Sequence, residues 1–159
     1  MAYRMSRDKM LMDVASVVSE RGTCSRLQVG VVISRDGRII VTGYNGAPAG
    51  IDHCNHTCDC GFPGNPNMPN HTEDCAKRQP CTVSSHAEQN AIAFAAKHGL
   101  ALDQSELHVT HGPCLACARS IINAGIRKVT YVEEFRDSLG VKLLHRAGVE
   151  VVDEGLGRR

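Results

Sequence analysis

The sequence predicts a three-layer α/β/α sandwich around one mixed five-stranded sheet, and three observations carry that expectation. Two β-branched runs near the N-terminus are joined by a tight-turn sequence, which predicts an antiparallel pair. Beyond residue 85, strand-like and helix-like stretches alternate at lengths that suit parallel strands joined by right-handed helical crossovers. The length of 159 residues suits one domain, 1–159, whose core can do without disulfide staples.

The elements follow in order. Met10, Leu11, Val14, Val17 and Val18 recur at helical spacing, with Ser6 placed to cap the start and Gly22 to stop the end. Val29 to Ser34 and Arg38 to Gly43 read as strands, and Arg35, Asp36 and Gly37 between them have hairpin-turn chemistry. A helix runs from Ser85 to about His98, with Gly99 as its stop and Ser85–Glu88 at capping-box spacing. There follow a strand from Glu106 to His111, a helix from Cys114 to Ala124 with Pro113 as a favoured first residue, and a strand from Lys128 to Val132. A last helix, Ser138 to Ala147, leads past Gly148 into a strand from Val149 to Val152.

One stretch resists this reading. From Tyr44 to Cys81 the chain is rich in Gly, Pro, Asn, His and Cys, without helical or strand periodicity, and the part at about 52–84 reads as an insertion. A stretch of that length inside a compact domain needs a function or something other than a core to hold it. Cys54, Cys58, Cys60, His71, Cys75 and Cys81 make a metal clip the physical alternative.

Composition excludes several classes. A formal charge of +1 with acids and bases interspersed gives no footprint for a polynucleotide backbone and suits a small ligand. Asp8 and Asp13 interrupt the apolar residues of the N-terminal stretch, which therefore lacks the core of a signal peptide, and no run approaches membrane-spanning length. A cytoplasmic setting follows as the expectation, and there eight cysteines beside histidines point to metal ligands before disulfides.

Two short motifs carry the chemistry. His86-Ala87-Glu88 opens one predicted helix, and Pro113-Cys114-Leu115-Ala116-Cys117 opens another. A helix N-terminus favours thiolate over thiol, so Cys114 and Cys117 are predisposed to bind metal. Alone, the Cys-x-x-Cys could be a redox pair, but that would not call for a second helix beginning His-x-Glu. Together they form the His-x-Glu and Pro-Cys-x-x-Cys signature of zinc deaminases. His86, Cys114 and Cys117 supply three ligands to a catalytic Zn²⁺ and leave the fourth tetrahedral position for water. Two thiolates neutralise the metal's formal charge, so a base is needed, and Glu88 is placed to move the water proton to a ring nitrogen and then to the departing amine.

By these motifs, and by "CSRLQVGVVI" (Cys24 to Ile33), "GYNGAPAG" (Gly43 to Gly50) and "GPCLACARSIINAGIRKVTY" (Gly112 to Tyr131), the chain resembles the cytidine deaminase superfamily, and within it the deoxycytidylate (dCMP) deaminases. The resemblance implies a cytidine deaminase-like fold and hydrolytic deamination of dCMP to dUMP, which feeds thymidylate synthesis. It implies that Asn45 bonds the sugar hydroxyl and that Ala87 offers a backbone group to the pyrimidine. For the 5′-phosphate, Arg26, Lys97, Arg136 and Lys142 are candidates. Similar enzymes often carry tyrosine where this chain has Phe135, so Arg26 or Arg136 is expected to carry more of the phosphate preference. It further implies a second, structural zinc on Cys24, Cys54 and Cys81, completed by His71 or Cys75, with Cys58 and Cys60 left over. Homo-hexamers activated by dCTP and inhibited by dTTP with Mg²⁺ are common among the similar enzymes.

Two rivals stand beside this reading. One is a deaminase of another substrate, such as guanine, deoxycytidine or adenosine in transfer RNA. The other is a binding module in which zinc merely holds loops. Four protein ligands at the His86 site would favour the module, and three would favour an enzyme.

Overall fold

The computed structural model describes residues 4–24, 27–51, 53 and 83–155. Its elements are α1 (Arg7–Ser19), β1 (Gly30–Arg35), β2 (Arg38–Tyr44), α2 (Ala87–Lys97), β3 (Glu106–His111), α3 (Leu115–Asn123), β4 (Lys128–Glu133), α4 (Leu139–Arg146) and β5 (Glu150–Asp153). The sheet order is β2-β1-β3-β4-β5. β1 runs antiparallel to both β2 and β3, whereas β3–β4 and β4–β5 are parallel, so the sheet is mixed as the sequence predicts.

The hairpin closes on Asp36 and Gly37, both at positive φ (52° and 74°). Two left-handed residues in a two-residue loop match the twist of the flanking strands, and Asp-Gly is a favoured pair for that turn. β1 is buried along nearly its whole length because it is covered on both faces. Leu11, Met12 and Ala15 of α1 pack on Val32 on one side. On the other, Val31, Ile33, Leu107, Val109, Val129 and Tyr131 pack in one core with Ala87, Ala91 and Ala95 of α2, Ile121 of α3 and Leu144 of α4. Each buried Val, Leu or Ile contributes roughly 1.5–3 kcal/mol. An exposed helical pair such as Lys9–Asp13 contributes about 0.3–0.5 kcal/mol, so burial and not surface charge sets the register.

Three local expectations are corrected. Ser85 does not cap α2: it forms an isolated antiparallel bridge with Gly46, Ser85 N donating to Gly46 O at 2.9 Å and Gly46 N to Ser85 O at 3.1 Å. The cap is His86, whose backbone N–H donates to Gln89 Oε1 at 3.2 Å. Pro113 likewise stands one residue outside its helix, because Cys114 occupies the N-cap. Gly22 lies beyond the end of α1, whose C-cap is Glu20. Among the described residues, no helix is long and apolar enough to cross a membrane.

Candidate active site

The topology gathers the site at one edge of the sheet. β2, β3 and β4 all point the same way, so Asn45, Gly112 and the segment 134–138 emerge at their carboxyl ends, and the chain entering β1 passes the same edge. That edge is where ligands bind in open α/β sheets. A cavity of about 340 Å³ opens there, lined in part by Asn45, His86, Ala87, Glu88, Cys114 and Arg136.

Its floor is made by the starts of two helices. His86 caps α2 and Cys114 caps α3, with Cys117 one turn further along. His86 Nδ1 lies 3.4 Å from Cys114 Sγ and 3.3 Å from Cys117 Sγ. Tetrahedral zinc with ordinary bond lengths would place a nitrogen and a sulfur ligand about 3.5 Å apart, so the donor set fits that ion. These are the residues whose ligand atoms cluster, all within 4.8 Å of one another, and among the described residues neither Glu88 nor any other side chain joins them. One imidazole and two thiols also match zinc's preference for nitrogen and sulfur over oxygen.

The electrostatics are consistent with this. A hydrogen bond from Cys117, aided by His86, draws the Cys114 thiol down to about 3. Cys117 is pushed up, because it is the donor in that hydrogen bond and is buried beside Glu88. The hydrogen bond with Cys114 raises His86 in turn. Glu88 is 4% exposed, and burial raises its carboxyl above the usual range while its backbone hydrogen bond and His86 oppose the shift. A carboxyl held up in this way accepts a proton more readily near neutrality than a solvated one.

The remaining expected residues fare differently. Ala87 is wholly buried and sits at the first position of α2, where a backbone N–H has no intrahelical partner. Asn45 reaches the cavity wall, but its amide is engaged: Oδ1 accepts from Val29 N at 2.8 Å and Nδ2 donates to Leu27 O at 2.7 Å. It therefore pins the chain entering β1 to the end of β2. Phe135 and Arg136 line the cavity, as does buried Cys24. Lys97 stands at the far end of α2 and does not line it, and Lys142 lines a neighbouring cavity of about 590 Å³ shared with Phe135 and Arg136. Arg26, Cys54, Cys58, Cys60, His71, Cys75 and Cys81 lie outside the described residues.

The sequence reading passes over His111, which the structure places in the cavity lining at the end of β3. Its position directly before Gly112-Pro113-Cys114, at a strand's carboxyl end, was the available signal. Thr110 Oγ1 accepts from Gly30 N at 3.2 Å and lies 3.0 Å from His111 Nδ1. Burial holds the imidazole below its ordinary range, with Glu133 opposing.

A further contact supports the metal turn. A Cβ on Gly140, in the first turn of α4, would fall 2.0 Å from Pro113 O and 2.8 Å from Cys114 O. Only glycine lets α4 press this closely on the backbone that carries the ligand.

Known proteins are similar to this chain in sequence and fold. Residues 5–133 match the family described as the cytidine and deoxycytidylate deaminase zinc-binding region. ComE operon protein 2 of Bacillus subtilis (strain 168) is 38% identical over 150 residues, covering 93% of this chain and 71% of that protein. The deoxycytidylate deaminase of Enterobacteria phage T4 is 34% identical over 166 residues, 89% of this chain and 86% of its own length. The crystal structure of dCMP deaminase from the cyanophage S-TIM5, in complex with dCMP and dUMP, matches with a TM-score of 0.77 at 32% identity, covering 96% of this chain and 99% of that one. A helix-capping histidine, a buried glutamate and a Cys-x-x-Cys turn meet at one sheet edge in a chain that these matches cover almost whole, and the chain belongs to the cytidine and deoxycytidylate deaminase family of hydrolytic deaminases.

Proposed function

We propose that this chain, as a single domain over 1–159, converts dCMP and water to dUMP and ammonia. The observation that carries the reading is one cavity that joins buried Glu88 and the donors His86 and Cys114, whose cluster Cys117 completes, to Arg136. The relatives named deoxycytidylate deaminase and the cyanophage enzyme's dCMP and dUMP complex support the same substrate. His86, Cys114 and Cys117 would hold the zinc, which when bound polarises water and lowers its pKa. Glu88 takes a proton from the attacking water and gives it to pyrimidine N3. It then takes the remaining proton from the new oxygen at C4 and delivers it to the amino group, which leaves as ammonia. Ala87 offers its backbone to the ring, and Asn45, which holds the wall at Leu27 and Val29 with one lone pair and one N–H, bonds the sugar hydroxyl with the amide capacity that remains. The site has three protein donors among the described residues, which favours an enzyme over a zinc-stabilised binding module.

The phosphate gives the substrate its signature. A charge-assisted hydrogen bond contributes roughly 1.5–3 kcal/mol, hence about tenfold or more in affinity per contact. Arg136 supplies such a contact from the cavity wall, and Arg26 is its sequence-level companion. The test incubates zinc-loaded protein with dCMP, CMP, deoxycytidine and guanine separately, with and without dCTP, and follows ammonia. dCMP should be turned over fastest, and Arg136→Ala should weaken dCMP turnover more than that of deoxycytidine. Equal kcat/KM for nucleotide and nucleoside in the parent protein would reject dCMP while leaving the deaminase chemistry standing. The dCTP arm reads the activation that the family resemblance implies; inhibition by dTTP with Mg²⁺, a homo-hexameric assembly, a cytoplasmic setting and supply of dUMP for thymidylate synthesis belong to the same reading.

A second, structural zinc on Cys24, Cys54 and Cys81, with His71 or Cys75, is part of the proposal. Buried Cys24 is the member of that set within the described residues. Metal analysis should then find about two zinc ions per chain, and Cys81→Ser should lower that content while the His86 site keeps its ion. One zinc in both parent and variant would exclude the second site.

A further inference from the structure

We propose that His111 is a specificity-determining residue that donates a hydrogen bond from Nε2–H to the 5′-phosphate of the nucleotide; this rests on the dCMP reading above. The polar side chains described in the cavity lining are Asn45, Ser84, His86, Glu88, His111, Arg136 and Asp137, with the Cys24 and Cys114 thiols, and most of them have other commitments. Asn45 holds the backbone of Leu27 and Val29, and the Ser84 hydroxyl donates to Ser85 O at 3.3 Å. His86 and Cys114 belong to the metal donor set. Glu88 and Asp137 are acids, which repel a phosphate. Among the described side chains of the lining, Arg136 and His111 are left to receive the anion.

Arg136 alone is an incomplete receptor. It is exposed, and Asp137 beside it puts a carboxylate on the same wall. A dianionic phosphate in a partly buried cavity needs further donors, because desolvating its oxygens without partners is costly. His111 is built to supply one. It is half-buried at the carboxyl end of β3, and its ligand atoms do not join the metal cluster. Thr110 Oγ1 receives the Gly30 N–H and lies 3.0 Å from His111 Nδ1, so that contact occupies Nδ1 and leaves Nε2 as the ring nitrogen for a ligand. When the Thr110 hydroxyl donates to Nδ1, the proton of the neutral ring sits on Nε2, the tautomer that offers the phosphate a donor. Phe135, on the same cavity lining, lacks the hydroxyl a tyrosine would offer, which leaves more of the phosphate's demand to His111.

The experiment uses the zinc-loaded full chain and three variants, His111→Ala, His111→Gln and Thr110→Val. Turnover of dCMP and deoxycytidine is measured, together with inhibition of dCMP turnover by dUMP and deoxyuridine, which reads the phosphate contribution even if deoxycytidine turns over slowly. His111→Ala should raise KM for dCMP and Ki for dUMP at least ~10-fold, with kcat and the deoxyuridine Ki changed less than ~3-fold, the mark of a contact made equally in ground and transition states. His111→Gln, which keeps an N–H donor, should recover most of that loss, and Thr110→Val should show a smaller change of the same kind. If dUMP and deoxyuridine weaken equally, or if neither weakens, the proposal is overturned. A parent that binds dUMP no better than deoxyuridine overturns the underlying dCMP reading instead, before any variant is compared. Unchanged zinc content and melting temperature in His111→Gln establish that the comparison is between folded enzymes.

Discussion

Glu88→Gln lowers kcat by at least ~100-fold, with zinc content and melting temperature close to those of the parent. The substitution keeps the volume and some hydrogen bonding of a side chain that is almost wholly enclosed, so the change it makes is chemical. A glutamine cannot take a proton from water or return one to the leaving amine. General acid–base catalysis contributes roughly 100- to 10,000-fold, and Glu88 serves both proton transfers. KM for dCMP should move far less than kcat. A variant that retained near-parental turnover, measured by ammonia release at saturating dCMP, would reduce Glu88 to packing at the first turn of α2.

Cys117→Ala abolishes the His86-site zinc and reduces activity by about 1,000-fold or more, since the Lewis-acid contribution amounts to several kcal/mol and each 1.36 kcal/mol is tenfold in rate. Cys117 is fully buried behind Cys114, and it brings the second sulfur to 3.3 Å from His86 Nδ1. Alanine keeps the helix and removes the ligand. Metal analysis after dialysis, beside the dCMP assay, is the measurement. Full zinc occupancy and activity in this variant would mean that the ion sits elsewhere. Set against Cys81→Ser, the result also separates the two sites: one variant should lose the ion at His86, the other the ion in the insertion.

Much of this was readable from residue types and spacing. The metal donors and Glu88 announce themselves because each motif opens a helix, and a helix start turns local sequence into fixed geometry. The hairpin was equally legible, since Asp36-Gly37 favours one kind of turn. What could not be read depended on contacts far apart in sequence. Ser85 has the spacing of a cap, but its backbone pairs with Gly46, thirty-nine positions earlier, and that bridge shifts the cap to His86. Asn45 sits in a turn-like Tyr-Asn-Gly sequence, and its amide also ties Leu27 and Val29, a closure set by the folded sheet edge. His111 carries no motif, and only the cavity and the contact with Thr110 single it out. Lys97 looked as plausible as Arg136 until the length of α2 carried it away from the cavity.

The wedge at Gly140 has a consequence for how such a site can evolve. The segment 134–138 is tethered at both ends, by β4 and by a helix seated on the carbonyls of Pro113 and Cys114. A misplacement of about 1 Å can cost on the order of 100-fold in rate. Inserting or deleting residues in that segment would pull on the very turn that presents the sulfurs, whereas exchanging the side chains of Phe135, Arg136 or Asp137 would not. Substrate range in this scaffold is therefore free to drift by replacement and constrained against changes in length, with the same short span acting as a variable wall and a fixed strut.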